Sequence, residues 1–308
     1  MTARGGRVPW RLVVGVAAYA AWAPPALVGL PFAALMLAAR PETAREWGLA
    51  LVVGSVSAGL VLQPAGDMLS ALVRAYVVLV TAAFVSGALL GRLPASFLRR
   101  GLRASLLAGV AVVALARIAW GENVGAALHW EATRQVSWSM RFLVERRPEV
   151  YALFEPVVRF VSDSVPATLL LQTLAGLALA WQWHTRLAQR PLGPPLAPFR
   201  EFRFGDHWVW AIVAALVVWV TPLFTGLKIA ALNLAVVLGV LYLVRGLAIV
   251  AAIAGALGVS AGALLAGAAA AALLAVPLLL LIPGLATLGV TDTWLEFRRR
   301  LKRRPNAT

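Results

Sequence analysis

Long apolar runs separated by short polar stretches dominate this sequence. The runs cover residues 11–39, 47–64, 68–91, 104–120, 165–184, 207–225, 228–244 and 246–289. Most of them have about the length, roughly 17–25 residues, that a helix needs to cross a bilayer. Prolines interrupt the first and last runs, and a proline inside a helix removes a backbone donor and kinks or breaks it. The pattern predicts an all-α, polytopic transmembrane helical bundle of about eight to ten spans, with proline-broken first and last segments.

The composition agrees with a membrane protein. Of the 308 residues, 61% are hydrophobic and 13% are charged, and the mean hydropathy is +0.83. A soluble domain has roughly 45–50% apolar and about 25% charged residues. The excess apolar surface must therefore face lipid, and the lipid bilayer is the first expected partner.

The positive charges indicate an orientation. The formal net charge is +15, and the bases form clusters at 4–11, 92–103, 186–203 and 298–304, each beside an apolar run. Under the positive-inside rule these clusters are cytoplasmic, which predicts a multi-pass protein of the bacterial inner membrane with both termini in the cytoplasm. Anionic headgroups explain such clusters, so we expect no nucleic-acid partner. The first run is expected to be an uncleaved span rather than a signal peptide.

Two segments between the runs have a different character. Residues 122–163 balance acids against bases and place apolar residues at helical spacing, which predicts amphipathic helices on the outer membrane surface. The functional alternative for this segment is a lid over a pocket. Residues 185–206 are rich in proline and predict a stiff cytoplasmic linker between an N-terminal membrane half, 1–184, and a C-terminal membrane half, 207–308.

Enzymatic chemistry has little support. The chain has no cysteine, and its three histidines show no ligand spacing, so no metal and no cofactor is expected. Residues 258–262, GVSAG, match the nucleophile motif G-x-S-x-G. Small residues at this spacing, however, let helices approach closely, and that interpretation is preferred. We therefore expect that the protein is not an enzyme.

Arg245 is a charge within a long apolar stretch. The 17 residues from Lys228 to Val244 span about 25 Å at ~1.5 Å each, close to one hydrocarbon thickness. An unpaired arginine at mid-bilayer costs at least ~2.5–3.5 kcal/mol, and the surrounding run holds no acid. Arg245 is therefore predicted to mark the cytoplasmic end of this span, with its guanidinium reaching the headgroups, and the alternative is a buried site. Asn233, on the same span, is predicted to contact a ligand or to form an interhelical hydrogen bond.

Two further stretches suggest surface roles. Residues 291–297, TDTWLEF, predict an interfacial helix in which Thr291 or Asp292 caps the first amides while Trp294 and Phe297 face lipid. The alternative for this stretch is a frayed helix end. Ala17 and Ala21 form an A-x-x-x-A pair, which suits either docking on a helix of a partner subunit or internal packing.

Residues 232–250, LNLAVVLGVLYLVRGLAIV, and 288–300, LGVTDTWLEFRRR, resemble the YybS-like family of bacterial membrane proteins. The stretches PPALVGLPFAAL (24–35) and FREFRFGDHWVW (199–210) are also similar to it. The matching positions are Asn233, Leu234, Tyr242, Arg245, Gly246, Leu247, Ala248, Leu288, Gly289, Asp292, Trp294, Phe297 and Arg298. The resemblance implies a remote likeness to the substrate-binding components of energy-coupling factor transporters. Those components dock on an energising module through alanine-rich helices, which would give the Ala17 and Ala21 pair a role.

Three function classes follow. The first is a solute-binding or permease-like membrane component without its own ATPase, with a site for solute or partner formed by Asn233, Tyr242, Asp292 and Trp294. The second is a scaffold in a larger membrane assembly, which needs no pocket. The third, an intramembrane enzyme, lacks a catalytic constellation and comes last.

Overall fold

The computed structural model describes residues 19–91, 96–121, 124–146, 151–260, 262–263, 266–267 and 278–297. By internal contacts the chain divides into two compact units, unit 1 at Met1–Leu196 and unit 2 at Ala197–Thr308. This boundary lies inside the segment 185–206 that the sequence analysis assigned to a linker. Each unit is described by itself below.

The described residues form helices and no strands. In unit 1 the helices are α1 (Ala26–Ala38), α2 (Ala44–Leu62), α3 (Met68–Leu90), α4 (Phe97–Trp120), α5 (Val124–Arg146), α6 (Tyr151–Asp163) and α7 (Val165–Leu187). In unit 2 they are α8 (Trp208–Val220), α9 (Lys228–Ala256) and α10 (Leu278–Leu295), with 3-10 turns at Phe199–Glu201 and Pro222–Leu227. The predicted all-helical class is confirmed for this part of the chain.

Five helical stretches of the described chain are long and apolar enough to cross a membrane. They are α2, α3, α4, α7 and the stretch Pro222–Ala256 that contains α9. The helices α1 and α8 are apolar but shorter. A multi-pass membrane protein is thus supported, while the number of eight to ten spans stays a prediction.

Polar caps fix where several helices begin. The Thr43 hydroxyl accepts from the Glu46 amide while the Glu46 carboxylate accepts from the Thr43 amide, a reciprocal capping box at the start of α2. Asp67 caps α3 by accepting from the Ser70 amide at 2.6 Å. These caps satisfy amides that a helix start otherwise leaves without a partner.

Proline has different effects along the first apolar run. Residues 21–25, which end in Pro24 and Pro25, form a turn, and α1 begins directly after them. Pro31 lies inside α1 without ending it. The predicted break is therefore at the proline pair and not at Pro31.

The helix α1 lies at the centre of unit 1. It packs against α2, α3 and α7, and its Leu27, Phe32 and Leu35 are almost wholly buried. Gly176 on α7 allows the closest approach, because a side chain there would overlap the Leu27 carbonyl. The Tyr19 hydroxyl donates to the Gln172 carbonyl at 3.0 Å and ties the residues before α1 to α7.

The beginning of the predicted linker packs on unit 1 instead of extending freely. The Gln189 amide donates to the Glu46 carboxylate at 2.7 Å, and the Leu192 amide donates to Nε2 of His184 at 3.1 Å. The Trp181 indole donates to the Pro194 carbonyl at 3.0 Å. The buried side chains of Glu46, His184 and Trp181 thus hold this proline-rich stretch against the ends of α2 and α7.

Candidate functional site

Arg245 lies inside a helix and inside the core of unit 2. The helix α9 runs from Lys228 to Ala256 without a break at this residue, and Arg245 is 0% exposed. Its Nε donates to Oδ2 of Asp292 at 3.1 Å, and its Nη1 donates to Oδ1 of Asp206 at 2.7 Å. Nη2 also lies 3.1 Å from Oδ2 of Asp292, outside hydrogen-bonding geometry. We refer to Arg245, Asp206 and Asp292 as the Arg245 cluster.

The predicted role of Arg245 as a membrane-end anchor is therefore wrong. The apolar run around the arginine holds no counter-charge. The two carboxylates come instead from positions 39 and 47 residues away in the chain. An arginine paired in this way no longer has the cost of an isolated charge, so the helix can continue past it.

Asp292 faces inward, which corrects the prediction for residues 291–297. It is 1% exposed and belongs to the last turns of α10, which ends at Leu295. Its Oδ1 accepts from the Phe297 amide at 3.1 Å, next to Glu296 with its φ of 45°. The carboxylate thus accepts from an amide just beyond the end of α10 and does not begin a separate interfacial helix. Trp294 is 62% exposed.

Aromatic rings and close backbone contacts surround the Arg245 cluster. The Phe204 ring meets the Tyr242 ring edge to face at 4.8 Å, and Cζ of Arg245 lies 5.8 Å from the Phe204 centroid. A side chain at Gly246 or at Gly289 would overlap the backbone of the facing helix. Tyr242, Arg245, Gly246, Gly289 and Asp292, which carried the family resemblance, therefore meet where α9 crosses α10.

The chemistry of the Arg245 cluster suits a structural clasp. One cation faces two carboxylates, and Asp292 is buried whereas the Asp206 side chain is 49% exposed. The buried pair fixes α9 to α10, and the exposed carboxylate ties the residues before α8 to α9. The Tyr242 hydroxyl is also buried, and it has no hydrogen bond in good geometry to the described residues, although Thr293 is its neighbour.

Asn233 shares α9 with Arg245 but lies away from this cluster. Asn233 lies twelve residues before Arg245 on α9, about 18 Å along the axis at ~1.5 Å per residue. Its amide donates to the Ile229 carbonyl at 2.8 Å. Asn233 is therefore distant from the Arg245 cluster along α9, and a pocket formed by Asn233 and Tyr242 stays a prediction. Ala21 is exposed in the turn before α1, and Ala17 lies outside the described residues.

Unit 1 contains a cleft of about 490 Å³ at one end of its helices. The cleft lies where α1, α3 and α7 begin and α2 ends, and α5 and α6 add residues to its wall. Most of the wall is apolar, and its polar side chains are Ser70, Arg74, Gln135, Thr168 and Gln172. We refer to this space as the cleft.

Hydrogen bonds attach α5 to the helix end beside the cleft. The Glu131 carboxylate accepts from the Leu69 amide at 2.9 Å, and Gln135 donates to Asp67 at 3.1 Å. The Ser70 amide is the main cause that lowers the pKa of Asp67 below its ordinary value. The first turn of α3 is thus already paired with acidic side chains.

Arg74 is the unusual group of the cleft. Its Nη1 is buried, and it has no hydrogen-bond partner among the described residues. Arg74 was not among the predicted site residues. It interrupts the apolar run 68–91 just as Arg245 interrupts its own stretch. The same pattern, an arginine within an apolar run, could have identified Arg74 from the sequence.

These features define a polytopic, all-helical membrane protein with a buried ion cluster in one unit and a cleft in the other. A family model described as "Predicted membrane protein (DUF2232)" matches residues 16–293. The chain belongs to this family, which confirms the prediction of an integral membrane protein. No curated protein and no solved structure matches the chain.

Proposed function

We propose that this protein is a ligand-binding membrane component whose site is the cleft of unit 1. The proposal rests on Nη1 of Arg74. This nitrogen is a buried donor that belongs to a cation, and it has no acceptor among the described residues. A buried polar group without a partner costs about 1–3 kcal/mol, and more when it is charged. A bound ligand that supplies an acceptor would remove this cost.

The size and construction of the cleft support binding. Its volume of about 490 Å³ lies in the range of small-molecule pockets, roughly 300–1,000 Å³, which are mostly apolar with a few placed polar groups. The long helices α3 and α7 make rigid walls. The helices α5 and α6 add Ala132, Gln135 and Val161 to the wall, which supports the lid alternative for residues 122–163.

The YybS-like resemblance supports the same class of function. Its remote likeness to energy-coupling factor components suggests a permease-like subunit without its own ATPase that docks on a partner subunit. The bacterial inner membrane and cytoplasmic termini belong to this proposal through the positive-inside rule. In the proposal, the cleft replaces the pocket first expected at Asn233 and Tyr242.

The test is whether the cleft holds a molecule that leaves when the cleft is filled. Val73 lines the cleft, whereas Val78, on the same helix, is 44% exposed and does not line it. Wild type, Val73→Trp and Val78→Trp would be extracted gently and compared by native mass spectrometry. We expect a bound mass on wild type and on Val78→Trp that Val73→Trp has lost.

Two results would contradict the proposal. One is that wild type carries no bound mass after extraction under several mild conditions. The other is that Val73→Trp, folded by its melting temperature, keeps the same bound mass as wild type. Either result would favour the second function class, a membrane scaffold that needs no pocket.

A further inference from the structure

We infer that the ligand of the cleft is a single-chain anionic amphiphile from the membrane, whose acid group pairs with Arg74. This inference rests on the proposed function, since it names the class of ligand for the same cleft. Three properties of the described residues carry it: the charge of the lining, the apolar character of its walls, and the position of Arg74 along α3.

The charge of the lining is positive. Arg74 is one of the residues that form the cleft, and no aspartate or glutamate is among the described residues that do so. The nearest acids along the chain and on α5 are already engaged, because Asp67 accepts from Ser70 and Gln135 while Glu131 accepts from Leu69. An anion is therefore the complementary partner for this partly buried arginine.

The walls require that most of the ligand is apolar. Val73, Val77, Val165 and Leu169 line the cleft from the two facing helices α3 and α7. A small polar anion would leave this surface without contacts and would remain in water, whereas an acyl chain buries it. A ligand with an acid group for Arg74 and a hydrocarbon tail for the apolar walls therefore fits the cleft.

The position of Arg74 places the acid group toward the end of the helices. Arg74 is six residues after the start of α3, about 9 Å along its axis at ~1.5 Å per residue. Side chains on a helix tilt toward its N-terminus, so the guanidinium is directed back to the end at which the cleft lies. The head of the amphiphile would then lie near the membrane surface, and its tail would lie along α3 and α7.

The experiment compares two photoactivatable probes of equal chain length, diazirine-bearing palmitate and diazirine-bearing hexadecanol. Each is added to the full-length protein in phosphatidylcholine nanodiscs, and the crosslinked residues are mapped by mass spectrometry. The variants are Arg74→Gln, Arg74→Lys and a control, Arg117→Gln. Arg117 is an exposed arginine in the last turn of α4 that does not line the cleft.

We expect palmitate to crosslink to cleft residues of wild type at least about tenfold more than hexadecanol, as a charge-assisted hydrogen bond permits. Arg74→Gln should lose this preference, Arg74→Lys should keep part of it, and Arg117→Gln should match wild type. The comparison of the two probes on wild type needs no variant, so it remains decisive if Arg74→Gln fails to fold.

The contradicting results separate the two proposals. Equal crosslinking of both probes at the cleft, or an unchanged preference in Arg74→Gln, would contradict the inference that the ligand has an acid group paired with Arg74. The proposal that the cleft binds a ligand would still stand. If native mass spectrometry shows an occupied cleft but neither probe crosslinks there, the inference that the ligand is an amphiphile is contradicted. A cleft that native mass spectrometry shows to be empty would overturn the proposed function itself.

Discussion

Replacing Arg245 by glutamine should destabilise unit 2 strongly, because it leaves a buried carboxylate without its cation. Asp292 is 1% exposed, and it would keep the Phe297 amide as a donor but lose the guanidinium of Arg245. Breaking a buried ion pair by removing one partner costs about 3–5 kcal/mol. Asp206 is the matched control, since its side chain is 49% exposed and its pair with Arg245 is partly screened by water. Asp206→Asn should cost less than about 1 kcal/mol.

The double variant Arg245→Gln with Asp292→Asn separates the pairing from other effects. The double variant removes both buried charges of the pair, that of Arg245 and that of Asp292. We therefore expect it to be more stable, by about 0.5–3 kcal/mol, than the sum of the two single changes predicts. The proteins compared are wild type, the single variants Arg245→Gln, Asp292→Asn and Asp206→Asn, and the double variant. Their unfolding in one detergent, followed by heat or by a denaturing detergent, measures this coupling. If Arg245→Gln cost no more than Asp206→Asn, the buried assignment would be refuted and the membrane-end interpretation restored.

Three further predictions concern packing, capping and orientation. Gly246→Ala should destabilise the protein by about 1–3 kcal/mol, because its methyl group would overlap the backbone of α10. A methyl group at Gly239, on the same helix, meets open space, so Gly239→Ala should not destabilise the protein. Thermal unfolding of both variants checks this. Asp67→Ala should cost about 0.5–2 kcal/mol as a lost cap. Because the pKa of Asp67 is lowered in the folded protein, its contribution is present above the ordinary value of about 3.9 and is lost as the pH falls through the folded value. Asp67→Asn should keep the cap and lose that acid-dependent part, and a series of unfolding measurements between pH 6 and pH 2 tests both variants. Single cysteines in this cysteine-free chain, Asn306→Cys and Met140→Cys, should label from opposite sides of intact cells, and labelling of both from outside would contradict the predicted topology.

Apolar runs predicted several helices closely. The runs 68–91 and 165–184 correspond to α3 at Met68–Leu90 and to α7 at Val165–Leu187. A spanning helix must satisfy its backbone within a continuous apolar segment, so the length of the segment and its polar ends define the helix. The segment 122–163 likewise formed helices, α5 and α6, where its spacing indicated them.

Pairing between distant residues could not be predicted from the same pattern. The run ending at Val244 and the run beginning at Gly246 are one helix, because carboxylates far along the chain neutralise Arg245. Whether an arginine within an apolar stretch marks an end or a buried pair depends on tertiary contacts that spacing does not contain. For Arg74 the described residues supply no carboxylate partner, and its buried Nη1 has no acceptor among them.

A cryo-electron microscopy structure of the full-length protein in nanodiscs containing anionic lipid tests the central claim most directly. We expect elongated density in the cleft, along Val73 and Leu169, with one end within hydrogen-bonding distance of the Arg74 guanidinium. A cleft closed by side chains, with Arg74 paired to a carboxylate of the chain itself, would contradict it.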